Sequence, residues 1–357
     1  MDFLIVLIKV VLALVWLLVL TLYLTWVERK ESAVIQDRIG ANRASIFGFR
    51  LLGLFQPFAD AIKMIFKEDF TPPFARNRFL HAIAPFLSFF FVAVTIAAVP
   101  FGDTIRIGHK VISLQIVDFN VALLYVLAML SLGIYGILVS GWTSNNRFTL
   151  LGTVRGAAQV ISYEIALGLS VVGLIMVYPT LSLSNIVYFQ GKLLFGFLPR
   201  WGFFLQPVGF LVFFFAALAE TKRIPFDLPE GESEIIGFFT EYSGLKWGLF
   251  MMTDFMEIVI ISCLVTTLFF GGWQVPWLTP GGFVWPWGGE WHLARWLVIV
   301  LQVLAFNIKV FFFCWLQVLI RWTYPRYRYD QLMDLGWKLL IPLSLVNIVG
   351  TGIVMSL

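Results

Sequence analysis

The sequence predicts an all-α fold, a polytopic bundle of transmembrane helices with about eight spans. Three observations carry this. Hydrophobic residues make up 60% of the 357 and charged residues only 13%. Mean hydropathy is +0.88, a balance that belongs to membrane proteins rather than soluble domains. And about 20 apolar residues are needed to cross a hydrocarbon layer of roughly 30 Å, a length reached at 3–27, 79–99, 118–141, 157–178, 203–219, 249–271, 295–320 and 337–356. A ninth span would have to hide in 181–200 or 272–292, and Gly, Pro or polar residues interrupt both. The whole of 1–357 reads as one integral membrane domain.

The first segment is expected to remain as a span rather than be cleaved. Its leader, Met-Asp-Phe, carries no basic residue, and no small-x-small site follows the apolar stretch. Residues 28–78 then form the longest polar stretch. Glu28, Arg29, Lys30 and Glu31 open it, and Gln36 to Arg43 (QDRIGANR) places two arginines around a Gly-Ala-Asn turn. Within it, 57–67 (PFADAIKMIFK) sets Gln56, Asp60, Lys63 and Lys67 on one side, and Phe58, Ala59, Ile62, Ile65 and Phe66 on the other. That pattern predicts an amphipathic helix begun by Pro57, too short to span and lying along the membrane surface. Such a helix is a peripheral anchor, or the wall of a channel for an amphiphilic ligand entering from lipid.

The fourth span, read as starting near Gly156, carries Glu164 alone among apolar residues. An isolated intramembrane carboxylate marks a functional position. Between the fifth and sixth spans lies the densest acidic run: six of the chain's 21 acidic residues, Glu220, Asp227, Glu230, Glu232, Glu234 and Glu241. Pro225 and Pro229 make its backbone irregular, and non-helical backbone at membrane depth belongs where it lines protein or a wet cavity. The stretch 272–296 holds Trp273, Trp277, Trp285, Trp287, Trp291 and Trp296 and is expected to form an aromatic belt at the opposite interface.

Basic residues sort by loop. Seventeen fall in the odd-numbered loops, among them Arg147 and Arg155 in the third, Lys222, Arg223 and Lys246 in the fifth, and Arg321, Arg326 and Arg328 in the seventh. Four fall on the other side: Arg106, Lys110, Lys192 and Arg200. The positive-inside rule therefore puts the odd loops in the cytoplasm and both termini opposite. Cys263 and Cys314 are too few and too far apart for an iron–sulfur cluster or a zinc site. His81, His109 and His292 form no pair at helical spacing, and neither a P-loop nor a dinucleotide-type glycine fingerprint is present. No metal site and no nucleic-acid partner is expected, and any electrons must come from elsewhere.

Five stretches then become familiar: ERKESAVIQDRIGANR followed by LFQPFADAIKMIFKED, SGWTSNNRFTLLGTVRGAAQVISYEIALGLS, AETKRIPFDLPEGESE with EYSG, TLFFGGW and RYDQLMDLGWK. In this order they resemble the quinone-site membrane subunits of respiratory complex I, the NADH-quinone oxidoreductase family whose members are called H-type in bacteria and subunit 1 in mitochondria. The resemblance covers nearly the whole chain. It implies a quinone chamber, open to lipid and meeting a peripheral-arm subunit near its terminal iron–sulfur cluster. The chamber candidates are Gln36, Arg38, Arg43, Phe55, Asp60, Lys63 and Phe226, with Arg29 near the entrance. It also implies an acidic relay toward the proton-handling subunits, through Glu164, Glu220, Asp227, Glu230, Glu232, Glu234, Glu241 and Asp254. The substrate is then ubiquinone or menaquinone. FMN and iron–sulfur clusters reside only in partner subunits, the partners include the small membrane subunits and lipid, and the location is a bacterial inner membrane with periplasmic termini. Two positions depart from the family. Asp254 stands before Phe255 where relatives usually carry Glu, with Glu257 one turn on along the same face. Phe238 and Phe239 replace a common Gly-Tyr.

Physics supports a relay in such a row. Two carboxylates about 6 Å apart at an effective dielectric near 20 repel by roughly 2.8 kcal/mol, about two pKa units. Desolvation acts in the same direction, so a crowded row shares protons in coupled titrations. Three other readings remain open at this stage: a membrane anchor subunit of a related hydrogenase or deazaflavin-dependent dehydrogenase, an independent ion carrier, and a purely structural anchor.

Overall fold

The computed structural model describes residues 2–107, 110–194, 196–231 and 237–356. In chain order its helices are α1 (Asp2–Ile35), α2 (Gln56–Phe66), α3 (Arg78–Val94, continued by a 3-10 turn to Ala98), α4 (Ala122–Thr143), α5 (Arg147–Val177), α6 (Leu183–Gln190), α7 (Gly202–Leu205), α8 (Pro207–Glu220), α9 (Gly244–Phe269), α10 (Arg295–Thr323), α11 (Tyr329–Asp334) and α12 (Ile341–Ser356). A π-helical stretch, Leu335–Leu340, joins α11 and α12 into one membrane-length element. Among the described residues, seven helices are long and apolar enough to cross a membrane. The eighth expected span is the shorter α8, because Pro207 restarts the helix after a break at Gln206 (φ −135°, ψ 60°).

Most boundaries sit close to where the apolar runs end, and the differences have local causes. The fourth span begins at Arg147, not near Gly156, because the Asn146 side chain accepts from the Phe148 N–H and caps the helix well upstream. Glu164 is therefore past the middle of α5. α1 runs to Ile35, past the apolar segment, so its last two turns carry Glu28, Arg29 and Glu31 on helical backbone. At 34 residues it is about 51 Å long, some 20 Å more than the hydrocarbon needs.

α9 is the central helix. Nearly every residue from Leu249 to Phe269 is buried, and α1, α2, α3, α6 and α10 pack around it. α5 forms a second axis against α4, α8 and the C-terminal element. Among the described residues, short antiparallel strands occur only in connecting segments: β1–β2 (Ile105–Ile107, Lys110–Ile112), β3–β4 (Leu193–Leu194, Leu198–Pro199), and the sheet β5–β6–β7 (Leu278–Thr279, Gly282–Val284, Glu290–His292). The last holds part of the tryptophan belt. Phe283, Trp285 and Trp287 stack in sequence, and Trp287, Trp291 and Trp296 are exposed. Trp273 is instead buried in the core. Cys263 and Cys314 are both buried, and Cys314 donates to Ser262 Oγ.

Candidate functional site

α2 lies across α1 and α9 as the amphipathic pattern requires. Phe58, Ile62, Ile65 and Phe66 face outward, where lipid would meet them, and Asp60 turns in to pair with Arg29 of α1 at 2.6 Å. Gly248 permits this close approach, since a Cβ there would fall 2.7 Å from Met64 Sδ. The three helices enclose a cavity of about 270 Å³. Its wall is largely apolar (Leu22, Ala61, Met64, Trp247, Met251, Met252), with Thr25, Glu28, Arg29 and Asp60 as its polar groups. A cavity of that kind suits a ligand with a greasy tail and a small polar head.

Phe255, on α9, closes the cavity on one side and carries the guanidinium of Arg223 on its ring, 3.8 Å from the centroid. Arg223 also reaches Glu28 (3.0 Å), and Arg321 of α10 grips the other Glu28 oxygen at 2.6 Å. Glu28 thus lines the cavity and bridges two arginines behind it. Behind that bridge the loop after α8 folds inward. Lys222, left-handed at φ 55°, turns the chain out of the helix, and its ammonium contacts both Glu257 oxygens at 2.6 and 2.7 Å. Asp227 accepts from Arg326 at 2.6 Å and from the Glu230 N–H at 3.1 Å. Gln159 of α5 holds the loop down by donating to the carbonyls of Ala219 and Phe226. Gly156 makes room for it, as a Cβ there would meet Pro229 Cγ at 2.6 Å.

The described part of this cluster holds six carboxylates (Glu28, Glu220, Asp227, Glu230, Asp254, Glu257) against four cations (Lys222, Arg223, Arg321, Arg326). Glu220 Oε2 and Asp254 Oδ2 are buried without a hydrogen-bond partner. Electrostatic neighbours succeed one another from Asp227 to Glu230, Asp254, Glu257, Glu220 and Glu164. Outside the spans, burial pushes the Asp227 carboxyl up to about 6 despite Arg326 and the Glu230 N–H. Burial and then the charges of Asp254 and Asp227 raise Glu230 well above the usual carboxylate range. Lys222 and Arg223 lose solvation on burial, but the carboxylates around them more than offset that and raise their proton affinities.

The sequence-predicted residues divide among several places. Arg29 and Asp60 line the cavity. Gln36 and Arg38 lie just past α1, where Arg38 donates to Gln36 and to Ser32. Arg43 follows in the next loop, and Phe55 precedes α2. Lys63 is exposed on α2. Phe226 is not in the cavity wall. It is buried under the acidic loop, stacked on Tyr327 at 5.6 Å and beside Tyr163. Glu241 sits apart from the row and accepts from Asn146. Glu232 and Glu234 lie outside the described residues. Sequence reasoning left Glu28, Lys222, Arg223, Arg321 and Arg326 out of the site. Cations serving topology and cations neutralising buried acids look alike in a string, and only the interleaving of Lys222 and Arg223 with the acidic run signalled otherwise.

The sequence profile of the NADH dehydrogenase family matches residues 8–352. Among curated proteins, the chain is 44% identical over 348 residues to an H-type NADH-quinone oxidoreductase subunit of Geobacter metallireducens, covering 97% of this chain and 95% of that one. It is 41% identical over 336 residues to the like-named protein of Cytophaga hutchinsonii (94% and 92% covered) and 42% identical over 341 residues to that of Flavobacterium johnsoniae (94% and 91%).

Proposed function

The chain belongs to the NADH dehydrogenase family as a membrane subunit of NADH-quinone oxidoreductase, and from that premise we propose that the cavity between α1, α2 and α9 receives the quinone head and that the acidic row behind it relays protons. The observation that carries this reading is the shared wall: Glu28 and Phe255 belong at once to the cavity and, through Arg223, to the carboxylate row.

Reduction of a quinone to the quinol takes up two electrons and two protons. The chain contributes no redox group to this reading, so partner subunits supply the electrons, from FMN and iron–sulfur clusters. Negative charge developing on the head next to Arg29 and Glu28 draws Arg223 and Arg321 toward the cavity. Arg223 then neutralises Asp254 and Glu230 less well, and Glu230 binds its proton more tightly. An excess of acids over bases is what lets the row respond, since groups already fixed as ions pass nothing on. Glu220 and Glu164 carry the shift toward the neighbouring membrane subunits. The acidic end faces the cytoplasm in this reading, and the membrane is a bacterial inner membrane. By family resemblance, Glu232 and Glu234 are assigned to the same relay.

Photo-crosslinking the intact oxidoreductase with an azido-quinone tests the cavity. Labels on the α1–α2–α9 wall, at Met64 or Met251, are expected. Labelling confined to other parts of the chain would overturn the assignment.

A further inference from the structure

Polar groups line the seam between α9 and α10 from the acidic cluster outward. On α9, Asp254, Ile258, Ser262, Thr266 and Phe270 follow at every fourth residue and share a face. On α10, Cys314, Gln317 and Arg321 do so at spacings of three and four. The two faces meet at Ser262, to whose hydroxyl Gln317 Nε2 donates at 2.8 Å and Cys314 Sγ at 3.3 Å. Ser262, Thr266, Cys314 and Gln317 are all buried. Two atoms on this seam, Gln317 Oε1 and Thr266 Oγ1, have no hydrogen-bond partner. Thr253 and Thr267, on the same helix, donate to the carbonyls of Leu249 and Cys263 one turn back. Thr266 makes no such bond, so its hydroxyl is left for another ligand. Residues 258–270 and 310–320 include no acidic or basic side chain, so that ligand is neutral. Ordered water is the usual partner of buried polar groups so placed.

The seam ends at Lys309, midway along α10. Its ammonium donates to the carbonyls of Phe270, Gly272 and Gln274 at 2.8, 3.0 and 2.7 Å and lies 4.7 Å from the centre of the Trp201 ring. Gly271 and Gly272, both left-handed (φ 72° and 52°), bend the chain so that these carbonyls converge. The N–H groups of Phe270 and Gly272 in turn donate to the Thr266 carbonyl, which joins the shell around Lys309 to the seam. Three acceptors take three N–H bonds, and only the charged amine has three.

We infer that the α9–α10 seam is an internal water site open to the acidic row, and that Lys309 is the fixed cation that closes it toward the Trp-rich end. This rests on the relay reading given to the row. Protons shared by the row enter the waters, but a positive charge at the far end repels an excess proton and stops its crossing. The row is thereby kept from short-circuiting the gradient it serves.

The test uses the whole oxidoreductase in liposomes, without NADH, and follows the decay of an imposed pH difference. The wild type is expected to hold it. Lys309→Gln keeps a donor for the carbonyls but removes the charge. It should speed the decay roughly tenfold, the effect of a unit charge about 10 Å away at an effective dielectric near 20. Lys309→Arg should hold the gradient, and Thr266→Val added to Lys309→Gln should restore it. Chloride leak should stay the same in all of them. A Lys309→Gln protein that holds the gradient, or that leaks chloride as fast as protons, would overturn the inference. So would an electron cryomicroscopy map of the wild type that shows other buried waters but none within hydrogen-bonding reach of Gln317 Oε1 and Thr266 Oγ1, a measurement that needs no variant. Neither result touches the relay itself, whose failure shows in Glu220→Gln during turnover.

Discussion

Buried charge is handled differently at the two ends of the bundle. At the Trp-rich end, Asp103 accepts from the Tyr188 hydroxyl (2.6 Å), the Thr104 N–H (2.7 Å) and Arg295 (2.7 Å). Lys309 likewise spends its three protons on the carbonyls of Phe270, Gly272 and Gln274. In the cluster at the acidic end, six carboxylates face four cations among the described residues, and Glu220 and Asp254 each keep an oxygen without a partner. The first arrangement satisfies its polar groups with hydrogen bonds and ties α10 to its neighbours. The second leaves buried acids unmatched, which a strut does not need and the proposed relay does. Buried ions are costly unless paired and hydrogen-bonded, so an incompletely satisfied cluster points to use rather than to stability.

The sharpest way to break this contrast is to remove a cation from the acidic end. Lys222→Met leaves the Glu257 carboxylate buried alone, a loss of about 3–5 kcal/mol. The expected outcome is a large fall in assembled, thermostable oxidoreductase, read by its unfolding temperature. If assembly is unaffected, the Lys222–Glu257 pair is not what holds the loop to α9.

Next come the acids themselves. Glu220→Gln and Glu232→Gln keep the shape and remove the titration, and each should reduce quinone-linked proton pumping about tenfold, or roughly 1.4 kcal/mol of barrier. NADH oxidation by an artificial acceptor should hold steady. Unchanged pumping in both would remove the relay and leave the two ends alike in kind.

Third, the ends should respond to pH with opposite slopes. Asp227 titrates near 6, above an ordinary aspartate near 3.9. In that window the folded state binds more protons than the unfolded one, so its contribution to stability is complete below about 4 and is lost as pH rises to about 6. Asp103 behaves in reverse. Burial alone would raise it, but the hydrogen bonds from Tyr188, Thr104 and Arg295 together bring it below its ordinary value. Its contribution is present above the ordinary value and is lost as pH falls. Unfolding curves of Asp227→Asn and Asp103→Asn between pH 3 and 7 (each slope at most about 1.4 kcal/mol per pH unit) should each flatten one limb. If both flatten the same limb, the contrast fails.

Two smaller effects complete the series. Gly156→Val forces Pro229 off α5 and should cost about 1–3 kcal/mol as overpacking, seen as protease sensitivity of the loop after α8. Arg29→Gln breaks a partly exposed pair worth about 0–1 kcal/mol, so stability should barely move while the quinone KM rises.

Much of the fold was legible because apolar length is nearly sufficient to place a span. The exceptions follow from local chemistry that hydropathy does not register: the Asn146 cap that lengthens α5, the Gln206–Pro207 break that shortens α8, and the charged turns ERKE that stay helical on α1. The site was legible in part. Acids near hydrocarbon stand out by their cost, which is how Glu164 and Glu220 declare themselves. Glu28 does not, because a carboxylate at a helix end looks solvated until α10 and the loop after α8 bring two arginines to it. Family resemblance assigns Phe226 to the chamber; the structure lays it against Tyr327, outside the wall of the α1–α2–α9 cavity.

The π-helical stretch at 335–340 fixes the rotational phase of everything after it. One extra residue per turn there advances the C-terminal helix by about 100° relative to α11. Tyr163, bonded to the Leu332 carbonyl and packed near Gly336, clamps that slip on one side. Deleting a single residue from 335–340 would restore ordinary α-winding and swing Asn347 and Thr351 away from their hydrogen-bond partner Gln206. The chain would keep its hydropathy profile and its length in the bilayer almost unchanged, yet dial its last helix to the wrong azimuth.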